Sequence, residues 1–346
     1  MANPFTMSFG LEPKEYISRS LQTSKVIEDF TSDSPSNYLY MISGVRGAGK
    51  TVLLSNLTNY FEKMKKWIVI NVSPDTDILN SIAAYLYSKQ SIHSLFADAQ
   101  IDLSGLGIGV SLKNATPIFD ITFALEKLLT TLNKKGYKVL ISIDEIVNNQ
   151  NVRAFSSVFQ LLLRKNLPLF LLMTGLYENI NNLQNEKTLT FLYRAPKIYL
   201  EPLNAFSIAT SYRSILRVDD STAKEMAKLT NGYAYAYQVL GSLYFNRKPD
   251  EALDDLMPDF ERILFRDSYD LIWRSLSPGE KELVHCIYRS ATGKTEDIKA
   301  LMKNPSTYPV YRSRLINKHL AEGDARGYLR IRLPRFDKFT EIWGGE

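Results

Sequence analysis

Eight residues, Gly44-Val45-Arg46-Gly47-Ala48-Gly49-Lys50-Thr51, fit the spacing G-x-x-x-x-G-K-[ST]. Glycine at 44, 47 and 49 lets the backbone turn back until its N–H groups face phosphate oxygens. A helix opening at this point adds the partial positive charge of its N-terminus. Lys50 supplies a point charge to the β- and γ-phosphates, and the Thr51 hydroxyl suits Mg²⁺. The binding segment extends to Val52. The chemistry implied is binding of a nucleoside triphosphate, in the first place ATP with Mg²⁺. A glycine turn that happens to precede Lys-Thr is the bland alternative, and the strand and helix patterns on either side argue against it.

A second group of reactive side chains follows Lys138–Ile143 (KVLISI), an apolar run ending in Asp144-Glu145. A buried strand that stops there puts two carboxylates at the carboxyl edge of a sheet, where ligands of α/β proteins bind. Asp144 is expected to act on Mg²⁺ and Glu145 to polarise an attacking water. The two segments read as the Walker A and Walker B halves of one site. Thr174 ends another apolar run, LFLLMT, and suits either a hydrogen bond to the γ-phosphate or water, or a cap on the next helix. Two look-alikes are set aside. Gly293-Lys294-Thr295 would need glycine at 288, which is Tyr288. Gly105, Gly107 and Gly109 have no helix after them.

These residues need a scaffold, and the hydrophobic pattern supplies one. Tyr38–Ser43, Trp67–Val72, Lys138–Ile143, Leu169–Thr174 and Lys197–Leu200 are short and apolar throughout, as strands of a parallel sheet covered on both faces must be. Helical periodicity appears over Thr51–Met64, Asp77–Ser88, from Asp120 to Asn133, and around Ala154–Lys165. Ile101–Lys113 alternates as a hairpin would. From Asn204 to Trp273 the pattern is helical only, including Thr222–Leu229 and Tyr233–Phe245. Ser277-Pro278-Gly279 looks like a hinge that also opens a helix with Glu280 and Lys281, and Tyr328–Leu333 alternates like a strand.

The chain has 346 residues, 45% hydrophobic and 23% charged, the composition of a globular protein. One cysteine, Cys286, excludes an intrachain disulfide, and the three histidines form no zinc-like cluster. No apolar run is long enough for a membrane span, and the first ten residues lack a secretion signal, so a cytoplasmic protein without membrane contact is expected. Net charge is +5. Between His285 and Thr340 stand twelve Lys and Arg against five Asp and Glu, an excess of seven that leaves the rest at −2. A polyanionic partner would meet the C-terminal part.

The order of loop, long insert, Asp-Glu strand, polar-ended strand, helical segment and basic tail resembles the AAA+ class of ATPases. More narrowly it is similar to the origin-recognition-like ATPases of archaea and bacteria, which grade into the STAND ATPases. The resemblance spans nearly the whole chain and implies an α/β fold: a five-stranded parallel P-loop NTPase sheet with helices on both faces (1–202), an all-helical lid (203–275) and a winged-helix domain (276–346). The segment from Phe9 to Arg19 looks like the one that lines the adenine in this group, which marks Pro13 and Arg19. Phe191-Leu-Tyr-Arg194-Ala-Pro resembles the stretch whose arginine completes a neighbouring subunit's site; a plain surface arginine is the alternative. Thr230-Asn-Gly232-Tyr-Ala-Tyr holds neither the second sensor arginine of the origin-binding relatives nor the proline of STAND members. That departure bears on hydrolysis and lid motion more than on binding.

In the C-terminal segment the third helix carries Arg312, Arg314 and Lys318, and the wing carries Arg326, Arg330, Arg332 and Arg335. Such a helix would enter a major groove of double-stranded DNA while wing cations meet phosphate. A solvated charged face, or a protein contact, is the other reading. The leading expectation is an ATP-hydrolysing AAA+ protein that couples nucleotide state to DNA binding, with ATP held against the helical lid. The alternative is a STAND-like signalling or defence switch working through a protein partner or a homo-oligomer. A small-molecule kinase is weaker, because Asp144-Glu145 suits water activation better than acceptor binding.

Overall fold

The computed structural model describes residues 2–7, 13–113, 115–324 and 326–343. The chain divides into two compact units. The sheet unit comprises Arg19–Ser43 and Lys50–Tyr199; the other, C-terminal unit comprises Met1–Ser18, Gly44–Gly49 and Leu200–Glu346.

In the sheet unit the order is α1 (Ser20–Thr31), β1 (Leu39–Ser43), α2 (Lys50–Glu62), β2 (Trp67–Val72), α3 (Ile78–Ser88), α4 (Gln90–Asp98), α5 (Ile121–Lys134), β3 (Lys138–Ile143), α6 (Gln150–Arg164), β4 (Leu169–Gly175), α7 (Tyr177–Gln184) and β5 (Lys197–Tyr199). The five strands are parallel in the order β2-β3-β4-β1-β5. Every residue of β1 and β4 is buried, as a strand covered on both faces requires. Alternation decides which side chain goes to which face. Val139, Ile141, Ile143, Leu169, Leu171 and Met173 join the apolar cluster built with α3, α5 and α6. On the opposite face Phe170 packs against Phe30 of α1 at 4.9 Å and against Trp67 at 5.1 Å, and Phe61 of α2 meets Trp67 at 4.3 Å. Burying one phenylalanine in this way stabilises by about 1.5–3 kcal/mol. Asp144 and Thr174, two and four residues beyond Ser142 and Phe170, continue the α2 face.

Helix starts are set by side-chain caps. Asp77 accepts from Asn80 N–H, Asp120 from Phe123 N–H and Asn149 from Val152 N–H. The hairpin expected over Ile101–Lys113 does not form. The Asp102 carboxylate lies there instead, accepting from Ser104 N–H, Ser111 Oγ–H and Leu112 N–H. These bonds wrap the segment around one residue in place of a strand ladder, and the Ser104 hydroxyl, followed by the Leu112 and Ser104 amides, lowers the Asp102 pKa to about 2.

The C-terminal unit contains α8 (Ala205–Leu216), α9 (Asp220–Thr230), α10 (Ala234–Asn246), α11 (Met257–Leu264), a π-helical turn (Phe265–Tyr269), α12 (Asp270–Arg274), α13 (Pro278–Arg289), α14 (Thr295–Leu301), α15 (Tyr308–Asn317), β6 (Ala321–Gly323), β7 (Leu329–Ile331) and α16 (Phe336–Trp343). β6 and β7 form an antiparallel ribbon with Glu322 opposite Arg330. One apolar cluster runs through the unit from Phe5 and Ile208 to Phe339. Phe5 reaches α10, where an added Cβ on Gly241 would overlap its ring.

Ser277-Pro278-Gly279 opens α13 as its capped first turn, so the stretch expected to be both hinge and helix start is a helix start. Ser277 and Glu280 form a reciprocal capping box, and Glu280 is only 2% exposed. Lys318 Nζ lies 3.0 Å from the Glu280 carboxylate. Burial raises the Glu280 pKa, but the Ser277 amide, the Lys318 ammonium and the Ser277 hydroxyl more than reverse this, so it ends below the ordinary value. A depressed carboxyl pKa stabilises the fold above the unfolded-state pKa and is lost as pH falls through the folded one. The Glu280 contribution should therefore be complete above about pH 5 and disappear on acidification. Glu280→Gln should cost about 3 kcal/mol near neutrality, because it removes the buried charge that pairs with Lys318, and should flatten this acid limb. Urea unfolding at a series of pH values measures both; an unchanged acid limb in the variant contradicts the assignment.

Candidate functional site

At the carboxyl end of the sheet, three side chains of the α2 face converge. Thr51, in the first turn of α2, donates its hydroxyl to Asp144 Oδ2 at 2.7 Å. Thr174, fully buried in β4, donates to the other carboxylate oxygen, Oδ1. Thr174 also accepts from Glu145 N–H at 3.0 Å. The meeting follows from strand order: β4 lies between β1 and β3, so its polar end comes beside the end of β3. Thr174 does not cap α7, whose N-cap is Leu176 with no side-chain bond. Glu145 is exposed and adopts φ +52°, a left-handed conformation uncommon for a residue other than glycine. Such strain persists where surrounding contacts impose it, and here the Asp144 and Thr174 bonds to its amide do so. Lys50 opens α2 and is 9% exposed.

The preceding loop, Gly44–Gly49, is held within the C-terminal unit. Gly47 has φ +76° and Gly49 φ +91°, so both need the conformational freedom of glycine. The Tyr233 hydroxyl donates to the Arg46 carbonyl at 2.7 Å, and Tyr235 N–H donates to the Gly47 carbonyl at 3.1 Å. Ala48 N–H closes a turn onto Val45 O at 3.1 Å. A trans peptide points its N–H opposite its C=O, so anchoring the Arg46 carbonyl on Tyr233 turns the Gly47 amide the other way. Gly44 is packed tightly, since an added Cβ would lie 3.1 Å from Leu200 Cβ. Tyr233 and Tyr235 were not among the residues singled out by motif. Only their position in the Thr230–Tyr235 stretch marked them, and contact with a loop 187 residues earlier is invisible in a linear pattern.

Among the remaining expected site residues, Arg194 is exposed at the end of a 3₁₀ turn (Thr190–Arg194) before β5. Pro13 is buried in the C-terminal unit; Arg19 is half-buried at the N-cap position of α1. The earlier part of the segment expected to line adenine, 9–12, lies outside the described residues. Val52 is half-buried in the first turn of α2.

The basic C-terminal side chains separate into two sets. Lys318 is tied to Glu280, Arg332 to Glu201 at 2.5 Å and Glu322 at 3.4 Å, and Arg335 to Glu261. Arg314, Arg326 and Arg330 are exposed, and among the described residues they and the half-buried Arg312 form no ion pair. Arg314 and Arg330 lie over the rings of Tyr311 and Tyr328 at 5.7 and 5.5 Å. These four arginines lie on α15 and in the β6–β7 ribbon with the turn between its strands.

The donor chemistry fits Mg²⁺ only as part of a nucleotide complex. One carboxylate and one hydroxyl are too few for a protein cage, and among the described residues no group of three or more His, Cys, Asp or Glu side chains forms one. Magnesium commonly takes one or two protein oxygens together with phosphates and water.

Several solved structures are similar to this chain, and one of them supports the fold. The origin-recognition protein ORC2 of Aeropyrum pernix, solved with ADPNP and ADP, matches at 14% identity over 97% of this chain and 95% of its own, with a TM-score of 0.59. Cdc6p of Pyrobaculum aerophilum matches at 15% identity over 97% and 95%, TM-score 0.44. A STAND protein with a tetratricopeptide sensor from Pyrococcus horikoshii matches at 17% identity over 95% of this chain but 43% of its own, TM-score 0.44. The family profile of mitochondrial ribosomal death-associated protein 3 matches residues 19–100, less than half of the chain. No curated protein matches. The fold is that of the ORC-type AAA+ ATPases, with the five-stranded parallel sheet expected from the sequence. Among the described residues no helix is long and apolar enough to cross a membrane.

Thr174→Val removes one donor to Asp144 and the acceptor for Glu145 N–H while keeping the shape of the side chain. Losing these two hydrogen bonds, one of them to a carboxylate that keeps Thr51 as a donor, should lower stability by about 1–3 kcal/mol, measured by urea unfolding. A change within a few tenths of a kcal/mol would show that Thr174 does not organise this corner.

Proposed function

We propose that the chain binds ATP along Gly44–Thr51, hydrolyses it, and couples nucleotide state to duplex DNA through its C-terminal helices and ribbon. The observation that carries the reading is the Thr51–Asp144–Thr174 cluster beside the strained Glu145. Lys50 neutralises phosphate charge, and the Gly47 and Gly49 turns present backbone amides to it. Thr51 and Asp144 would hold Mg²⁺, which when bound neutralises phosphate oxygens. Glu145 orients a water and accepts its proton, with its backbone fixed by Thr174. Arg194 would complete a neighbouring copy's site if the protein assembles head to tail. The resemblance of the solved ORC2 with ADPNP and ADP supports nucleotide as the ligand class. The domain limits 1–202, 203–275 and 276–346, with a winged helix in the last, belong to this proposal, as does action in the cytoplasm.

A DNA contact would use Arg312, Arg314, Arg326 and Arg330. A second reading has support of its own: Lys318 and Arg332 are neutralised inside the protein, which reduces the charge available to phosphate. That favours a STAND-like switch whose C-terminal face meets a protein.

The two readings separate in one assay. ATP turnover by the intact chain should rise with duplex DNA, and Glu145→Gln should lower it at least about 100-fold. Arg314→Glu with Arg330→Glu should weaken DNA binding and reduce its salt slope by about two. Turnover and affinity indifferent to DNA and to these substitutions would move the function to a protein partner.

A further inference from the structure

The family resemblance would put a cation near the N-terminus of α10, yet no Lys or Arg occurs between Thr230 and Asn246. Two tyrosines stand there, and they address the loop's backbone. Tyr233 is 5% exposed and its hydroxyl joins two partners: it donates to Arg46 O and shares a 2.7 Å hydrogen bond with Ser268 Oγ. Burial raises its phenol pKa well above the ordinary value, with Ser268 and Arg46 opposing, so it remains a protonated donor at physiological pH. Tyr235 adds its amide to Gly47 O and its hydroxyl to Asp267 at 3.0 Å.

Both second partners, Ser268 and Asp267, lie in the π-helical turn Phe265–Tyr269. Turns of this kind inside helical segments are frequent at functional sites. The next residue, Tyr269, is fully buried and donates its hydroxyl to Pro334 O at 2.5 Å. Its ring packs against Phe336 at 5.0 Å and Phe339 at 6.0 Å, both in α16. A continuous set of hydrogen bonds and rings therefore runs from the loop carbonyls to the segment joining β7 to α16, all inside one compact unit.

We propose that Tyr233 is a positioning residue that fixes the phosphate-binding loop from α10, so that in this chain the loop backbone, and not a cation on the terminal phosphate, connects nucleotide to the C-terminal unit. This rests on the nucleotide reading for its ligand, but the positioning of the loop is independent of it. Because the loop's amides face phosphates common to ATP and ADP, the residue acts on both nucleotides alike. A cationic sensor would act on ATP selectively.

The test uses the full chain, Tyr233→Phe, which keeps the ring, and Ser268→Ala, which never touches the loop. Without nucleotide, amide hydrogen exchange over 44–51 should quicken about tenfold in Tyr233→Phe and less in Ser268→Ala. Affinities for ATP and for ADP should each fall about tenfold in Tyr233→Phe, leaving their ratio unchanged. Exchange that does not change, a loss confined to ATP, or a lower melting temperature with unaltered affinities overturns the proposal. A chain that binds neither nucleotide, yet exchanges faster when Tyr233 is changed, overturns the nucleotide reading and supports the positioning of the loop.

Discussion

A carboxylate at the end of a buried strand must find donors as its solvation is reduced, and Asp144 finds two threonine hydroxyls. That requirement ties three parts of the sheet unit together. Thr51 has to come from the first turn of α2, Thr174 from the strand between β1 and β3, and both must lie on the same face as Asp144. The parallel order β2-β3-β4-β1-β5 and the period-two alternation of the strands meet all three conditions. The left-handed Glu145 follows, since its amide is drawn to Thr174 and Asp144 at once.

The loop leading into α2 is ordered by different means. Its turns depend on glycine at 47 and 49, but its carbonyls are taken by tyrosines of a distant helix. Loop and strand-end cluster are close in sequence, with only Lys50 between Gly49 and Thr51, yet each is organised by its own unit. That division puts the Gly44–Gly49 loop in the same packing unit as the basic C-terminal side chains.

Much of this was legible in the sequence. β2 and β3 fall on the expected limits, because wholly apolar runs bounded by turn residues leave a buried strand as the simplest solution. Asp120 was readable as a cap, since an acidic side chain before an apolar period satisfies orphan amides. Ile101–Lys113 was misread, because alternation alone does not reveal that one carboxylate, Asp102, will collect the segment's amides. α1, α4 and α16 went unassigned; α16 follows a strand within a few residues, and its apolar positions Phe336 and Phe339 form too short a pattern to separate from it. In the site, Thr174 was seen but its choice between phosphate, water and cap depended on strand order. Tyr233 could not be found at all, since its role comes from tertiary proximity. Likewise charge counting gave the basic excess, but not that Glu280, Glu201 and Glu261 neutralise part of it.

The central claim is that Gly44–Thr51 forms a phosphate site whose charge comes from Lys50. Isothermal titration of the full chain with ATP and Mg²⁺, beside Lys50→Ala of confirmed fold, tests it most directly. The account expects saturable one-site binding by the natural chain and a loss of at least about tenfold in the variant. Equal affinity in both, or no binding by the natural chain, would contradict it.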